Sequence, residues 1–111
     1  MAVDWELQES GPVDADRVVL LLPGGLNNAR SYSELMARPE LASVRLVAAT
    51  LPGHAGTPPP EDFSVENYAR LVAELAADRG CDVLVGFSMG ATVALEMVAS
   101  GSFAGPVVLL G

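Results

Sequence analysis

The sequence predicts an α/β protein with a mostly parallel sheet and helices on both faces. Three observations support this fold class. Runs of branched apolar residues, typical of strands buried on both faces, recur at 17–22, 44–49, 81–85 and 106–110. Segments with helix-start signals or helical spacing lie between them, and this alternation predicts parallel β-α-β units. The chain has 111 residues, half of them hydrophobic, which suits one modest domain.

The first predicted strand is half exposed. Val3, Trp5 and Leu7 alternate with polar residues, the period-two pattern of a strand with one face in solvent. A turn containing Gly and Pro follows, and the buried run 17–22 then ends abruptly at Pro23, which is followed by two glycines.

The first helix is predicted from its start signal. Ser31 and Glu34 have the spacing of a capping box, so a helix should begin near Tyr32 and end at about Ala37. The buried strand 44–49 comes next.

A loop at 50–60, rich in Pro and Gly, separates that strand from a longer helix. Ser64 is the expected N-cap, the helix should end at about Arg79, and Gly80 should stop it. Its apolar residues fall on one face at helical spacing: Val65, Tyr68, Leu71, Val72 and Leu75.

The last part of the chain predicts a third β-α unit. Strand 81–85 is followed by a Gly-rich turn, a helix over 89–100 and a final strand, 106–110. Because the chain stops at Gly111 in mid-strand, we expect a truncated chain: a single domain, 1–111, that is the N-terminal portion of a larger fold. Its apolar last strand would otherwise be an unpaired sheet edge.

The turn between strand 81–85 and its helix has the sequence G-x-S-x-G, centred on Ser88. Gly86 and Gly90 permit close approach of helix and strand and also permit positive φ. Such a turn presents its serine at a sharp bend, so the pattern predicts acyl transfer through an activated serine. The plain alternative is a Gly/Ser turn that ends a buried strand.

The loops that begin at Pro23, at Pro52 and at the Ser88 turn all follow predicted parallel strands. The carboxyl ends of such strands meet at one edge of the sheet, where ligands bind in this class of fold. We therefore expect the site at that edge.

Composition excludes several function classes. Lys and Arg number 6 against 14 Asp and Glu, a net charge of −8, which argues against nucleic acid and anionic membranes as partners. The single cysteine, Cys81, cannot form an internal disulfide and is expected to be a small core residue. No signal-peptide pattern is visible, so the expected location is the cytoplasm. Neither zinc-site spacing nor a G-x-G-x-x-G turn occurs.

Three motifs carry a family resemblance. Leu22-Pro23-Gly24-Gly25 resembles an H-G-x turn, 51–56 resembles a D-x-P-G-H-G-x-S loop, and 86–90 is the nucleophile elbow. In this order they resemble the α/β-hydrolase fold family, in particular its lidded esterase and cofactor-free peroxidase branch. The resemblance implies a serine hydrolase that acts on a carboxylic ester or thioester and needs no cofactor.

The resemblance also implies roles for particular residues. Ser88 is the nucleophile, and the backbone N–H groups of Gly25 and Met89 form the oxyanion hole. Leu26 and Phe87 are expected to contact an apolar part of the substrate. The chain departs from the family pattern at two places: Pro23 stands where the family has His, and Thr50 stands where it has Asp.

His54 is the only histidine. It is either the general base or a structural residue that hydrogen-bonds its own loop; the resemblance favours the second, since the family's acid and base follow later strands. We therefore expect this chain to be inactive alone and to need the missing C-terminal half or a strand-covering partner. Acyl transfer or perhydrolysis at the same serine, and a non-catalytic binding or interaction protein, stay open.

Overall fold

The computed structural model describes residues 3–111. In that part of the chain there are five strands and three α-helices, with 3-10 helices at Ala29–Tyr32 and Pro39–Leu41 on either side of the first. Their bounds are β1 Leu7–Ser10, β2 Val18–Leu22, α1 Ser33–Met36, β3 Arg45–Ala49, α2 Val65–Arg79, β4 Val83–Phe87, α3 Met89–Ala99 and β5 Val107–Leu110. None of these helices is long and apolar enough to cross a membrane.

The sheet is mostly parallel, as predicted. Its strand order is β1-β3-β2-β4-β5, and only β1 runs antiparallel to its neighbour. The chain moves outward from β2 to β3 and then crosses back over β2 to β4, so the strand order reverses beside β2. The crevice at such a reversal is the usual ligand position in an open parallel sheet.

Helices cover both faces of the sheet, which confirms that prediction. On one face α2 and α3 pack against Leu20, Leu22 and Val47 in the larger of two apolar clusters. On the other face the shorter helices contribute Ala29 and Tyr32, which pack against alternate residues of β2 and β3. The period-two alternation of each strand therefore supplies both clusters at once.

Two strand positions differ from the sequence prediction. The first strand was expected over 3–8, but it lies at Leu7–Ser10, because its ladder is set by pairing with β3, where Leu7 faces Ala49. The third buried strand was expected over 81–85 and lies at Val83–Phe87. The amide of Cys81 instead donates to Ala76 in the last turn of α2, which keeps that residue outside the ladder.

The helix-end predictions were right for α2, and α1, at Ser33–Met36, lies within the predicted bounds of Tyr32 and Ala37. Only the predicted cap of the first helix was wrong. The Ser64 hydroxyl accepts from the Asn67 amide at 3.2 Å, and Gly80 ends the helix at φ 66°. The expected capping box at Ser31 does not form, since a 3-10 turn starts earlier. The Asn28 side chain caps that turn, and α1 follows it without a side-chain cap.

Candidate active site

Ser88 lies at the junction of β4 and α3 in a conformation that few residues with a side chain adopt. Its φ and ψ are 54° and −112°, and the residue is exposed. Its amide donates to the Leu110 carbonyl at 3.0 Å, and its carbonyl accepts from the Thr92 amide at 3.1 Å. The backbone is thus held by a strand on one side and a helix on the other. The hydroxyl makes no capping hydrogen bond to α3.

The two glycines of the elbow are required for space. A Cβ added at Gly86 would lie 2.4 Å from the Gly90 carbonyl oxygen, and one added at Gly90 would lie 2.5 Å from the Leu22 carbonyl oxygen. Neither glycine has positive φ. Close approach was therefore predicted rightly, but the expected use of positive φ at these glycines was wrong: the serine between them takes that conformation.

The loop after β2 brings Gly25 beside the start of α3. The position that a Cβ would take on Gly25 lies 3.6 Å from Met89 Sδ and 3.8 Å from Met89 Cβ. The loop is closed by a hydrogen bond from the Asn27 amide to the Gly24 carbonyl at 3.2 Å, and Leu26 within it has φ 68°. The sequence predicts that Gly25 and Met89 lie at the same edge of the sheet. The structure brings Gly25 into contact with the Met89 side chain there.

The backbone N–H groups of Gly25 and Met89 are free to donate a hydrogen bond to a ligand. Among the hydrogen bonds of residues 3–111, neither amide donates to another backbone or side-chain group. Met89 is the first residue of α3, and the first amides of a helix lack partners within the helix. Such a terminus carries partial positive charge and favours an anion.

Thr50 stands where the family pattern has an acidic residue, and its hydroxyl makes two long-range hydrogen bonds that hold the neighbouring loop. Its hydroxyl accepts from the Ala29 amide at 2.8 Å and donates to Glu6 Oε1 at 2.7 Å, and the residue is buried. The loop after β2 is thereby tied both to the end of β3 and to the segment before β1. This long-range pairing has no local sequence signal.

His54 joins two loops. Its Nδ1 accepts from the Leu26 amide at 3.0 Å, across 28 residues of sequence. Its own carbonyl accepts from the Thr57 hydroxyl at 2.7 Å, so its backbone does hold its own loop. The expectation that the histidine hydrogen-bonds its own loop is thus met by its backbone, and its ring in addition accepts from the loop that contains Gly25.

Apolar side chains stand exposed along this edge of the sheet. Leu26 is 83% exposed and Phe87 is 43% exposed. The Phe87 ring lies against the loop after β2, since a Cβ on Gly24 would be 3.3 Å from its Cδ1. Sequence reasoning missed Phe63, which is 61% exposed and lies against Gly53 in the loop after β3. Its position between the Pro-rich loop and the Ser64 N-cap could have indicated that Phe63 lies beside that loop.

Two tyrosines brace the loops with protonated hydroxyls. The Tyr32 hydroxyl donates to the Leu22 carbonyl at 2.8 Å, and burial raises the pKa of Tyr32 to about 12. The Tyr68 hydroxyl donates to the Pro52 carbonyl, and burial raises the pKa of Tyr68 as well. Both phenols therefore remain donors at neutral pH.

Other candidate chemistry is absent from the described part of the chain. Burial, with a smaller contribution from Asp82, raises the pKa of Cys81 to about 11, so its thiol stays protonated at neutral pH. No group of three or more His, Cys, Asp or Glu side chains within residues 3–111 is arranged to hold a metal ion.

Comparison with solved structures gives the same architecture. The hypothetical protein PA1622 from Pseudomonas aeruginosa PAO1 is 31% identical with a TM-score of 0.79, over 97% of this chain and 39% of that one. A lipase-esterase related protein from Clostridium acetobutylicum is 21% identical with a TM-score of 0.76, over 95% and 45% of the two chains. The N-acyl homoserine lactonase AidH, complexed with N-butanoyl homoserine, is 22% identical with a TM-score of 0.76, over 93% and 39%.

The chain thus spans less than half the length of these structures. No curated protein matches. The model of the alpha/beta hydrolase family matches residues 19–111, which include all three sequence motifs and the elbow geometry described above. The chain therefore belongs to the alpha/beta hydrolase family.

Proposed function

We propose that this chain supplies the nucleophile and the oxyanion hole of a serine hydrolase that cleaves a carboxylic ester or thioester through an acyl-Ser88 intermediate. The observation that carries the proposal is the conformation of Ser88, an exposed serine at φ 54° between a strand and a helix. Positive φ costs a residue with a side chain of the order of 1–3 kcal/mol, and such strain concentrates at functional sites.

In the proposed reaction, the Ser88 oxygen attacks the acyl carbonyl carbon and the carbonyl oxygen becomes an anion. The free amides of Gly25 and Met89 then donate to that oxygen. Removing one such donor typically lowers the rate by about 10²–10³. The positive end of α3 favours the same charge.

A serine hydroxyl needs a general base, which in turn needs a carboxylate to orient it. The resemblance places both after strands later than β5. We propose that they belong to a C-terminal part of a longer protein, whose next strand would pair with the outer edge of β5. We also propose that the whole protein acts in the cytoplasm. The support is that the single cysteine of this chain cannot form an internal disulfide, so nothing in it requires an oxidising compartment.

The substrate class follows from two kinds of support. Leu26 and Phe87 expose apolar side chains beside Gly25 and Ser88, which suits an apolar acyl or alkyl group. Two similar structures are named a lipase-esterase related protein and an acyl homoserine lactonase, and esterases and lactonases both break acyl–oxygen bonds. Acyl transfer and perhydrolysis use the same acyl-serine and differ only in the accepting nucleophile.

A non-catalytic binding protein is the second candidate, because membership of a fold family does not by itself fix function. A fluorophosphonate probe separates the two when applied to the complete protein. We expect labelling of the native protein and of Ser43→Ala, which changes an exposed serine before β3, and none of Ser88→Ala. An unlabelled native protein would favour the binding function.

A further inference from the structure

We propose that His54 is a positioning residue: it holds Leu26 in the left-handed conformation and thereby sets the direction of the Gly25 amide. The role of that amide rests on the proposed function. The structural relationship itself depends only on the hydrogen bond between the Leu26 amide and His54 Nδ1 at 3.0 Å.

Leu26 needs external support. Its φ of 68° lies in the left-handed region, which is unfavourable for a residue with a Cβ. Its side chain is 83% exposed, so burial of the leucine offsets little of that cost. The hydrogen bond from the Leu26 amide to His54 Nδ1 is the interaction that offsets this conformational cost.

That bond controls Gly25 through the peptide that joins it to Leu26. The donor is the N–H of this peptide, so the bond restrains the orientation of the peptide plane, which depends on ψ of Gly25 and φ of Leu26. Glycine has the widest backbone freedom of any residue, and without the bond the direction of its own N–H would be poorly defined. The imidazole also packs beside Gly25, where a Cβ would lie 3.7 Å from His54 Cε1.

His54 is itself rigidly mounted. Its amide donates to the Leu51 carbonyl at 3.1 Å, and its carbonyl accepts from the Thr57 hydroxyl. Its ring lies 6.1 Å from the ring of Tyr68, centroid to centroid, and the Tyr68 hydroxyl binds the Pro52 carbonyl. The imidazole of His54 therefore connects the loop that contains Gly25 to the loop after β3 and to α2.

The same bond removes His54 as a base for Ser88. A neutral imidazole carries one proton, and if Nδ1 accepts from Leu26 that proton is on Nε2. Neither nitrogen then has a lone pair for the serine proton. Positioning and general-base catalysis are thus mutually exclusive in this arrangement.

A pair of isosteric variants tests the role. The Oδ1 of His54→Asn is as many bonds from Cα as Nδ1 and can accept from the Leu26 amide, whereas His54→Leu has the shape of asparagine without an acceptor. In the complete protein, with a p-nitrophenyl ester, we expect His54→Leu to lose about 10² in kcat at little change in KM. We expect His54→Asn to stay within about tenfold of the native kcat, since it keeps the acceptor.

Equal loss in both variants would overturn the inference, since it would indicate a base or a general requirement for the imidazole. A second readout does not use activity: scalar coupling between ¹⁵N of Leu26 and ¹⁵Nδ1 of His54 reports the bond directly. We expect the coupling in the native protein and its loss in His54→Leu. Absent coupling in a native protein that labels at Ser88 overturns the inference alone. A native protein that does not label at all overturns the proposed function, and the inference with it.

Discussion

The carbonyl of Leu22, the last residue of β2, lies directly behind Gly90 in the first turn of α3. A Cβ on Gly90 would be 2.5 Å from that oxygen, so the start of α3 packs directly against the end of β2. The same carbonyl accepts the Tyr32 hydroxyl at 2.8 Å. The Leu22 carbonyl thus contacts the first turn of α3, next to Ser88, and also binds the 3-10 helix on the opposite face of the sheet.

Substitution of Gly90 by alanine should separate helix from strand. The added methyl would meet backbone atoms of Leu22 and Pro23 within 2.8 Å, and these cannot move without shifting β2. We expect a loss of about 1–3 kcal/mol in the free energy of unfolding, measured by urea denaturation, and loss of Ser88 labelling in the complete protein.

Gly101→Ala is the matched control for that substitution. Gly101 has open space around it but φ 76°, so it tests backbone conformation without a steric clash. We expect about 1 kcal/mol of destabilisation and normal Ser88 labelling. Equal loss of labelling in both variants would contradict the role of close packing at Gly90.

The buried hydroxyl of Tyr32 should make stability depend on alkaline pH. Its pKa is 10.0 when unfolded and about 12 when folded, so above pH 10 the unfolded chain releases its proton first. The contribution of Tyr32 is therefore complete below pH 10 and is lost as the pH rises through 12. We expect the free energy of unfolding to fall more steeply between pH 10 and 12 in the native chain than in Tyr32→Phe.

Urea denaturation followed by circular dichroism at each pH measures this slope. Tyr68→Phe is a second variant, in which the dependence of the free energy of unfolding on pH should change in the same direction, because burial also raises the pKa of Tyr68. Native and Tyr32→Phe curves that stay parallel over this range would show that the Tyr32 hydroxyl is not buried as described.

Thr50 should be intolerant of an apolar isostere. Valine keeps the shape but removes the hydroxyl that binds the Ala29 amide and Glu6. An unpaired amide at this buried position costs about 1–3 kcal/mol, which we expect as the loss in the free energy of unfolding of Thr50→Val. Thr92→Val changes an exposed hydroxyl with a weak 3.5 Å contact, and it should have an effect within about 0.5 kcal/mol. A similar, small effect for both variants would contradict the bracing role of Thr50.

The outer edge of β5 should promote self-association of the 111-residue chain. Val108, Leu109 and Leu110 are each between 43% and 47% exposed on a strand that pairs only with β4 in the sheet of residues 3–111. Unpaired apolar edges template strand addition, and a lysine on the edge opposes it. We expect concentration-dependent oligomers in analytical ultracentrifugation, reduced in Val108→Lys. Val13→Lys adds the same charge at an 86% exposed loop position and should not reduce them. A monodisperse monomer at all concentrations would refute this prediction.

The parallel sheet, the α2 helix ends at Ser64 and Gly80, and the elbow at Ser88 could all be predicted from the sequence. The helix ends and the elbow depend on residues close together in the chain, so a capping hydroxyl or a Gly-x-Ser-x-Gly spacing is enough to predict them. The parallel sheet was predicted from the alternation of apolar strands with helices along the chain. The capping box at Ser31 failed because an earlier 3-10 turn, capped by Asn28, took up the residues that would have formed it.

The way in which the loops of the site are held could not be predicted from the sequence. The Leu26 amide donates to His54 and the Ala29 amide donates to Thr50, across 28 and 21 positions, and no local pattern encodes either bond. They exist because β3 and β4 flank β2, which brings loops distant in sequence to one edge of the sheet. The elbow is likewise held by packing between elements, since a Cβ at Gly86 would meet the Gly90 carbonyl and one at Gly90 the Leu22 carbonyl, and Ser88 between them has φ 54°.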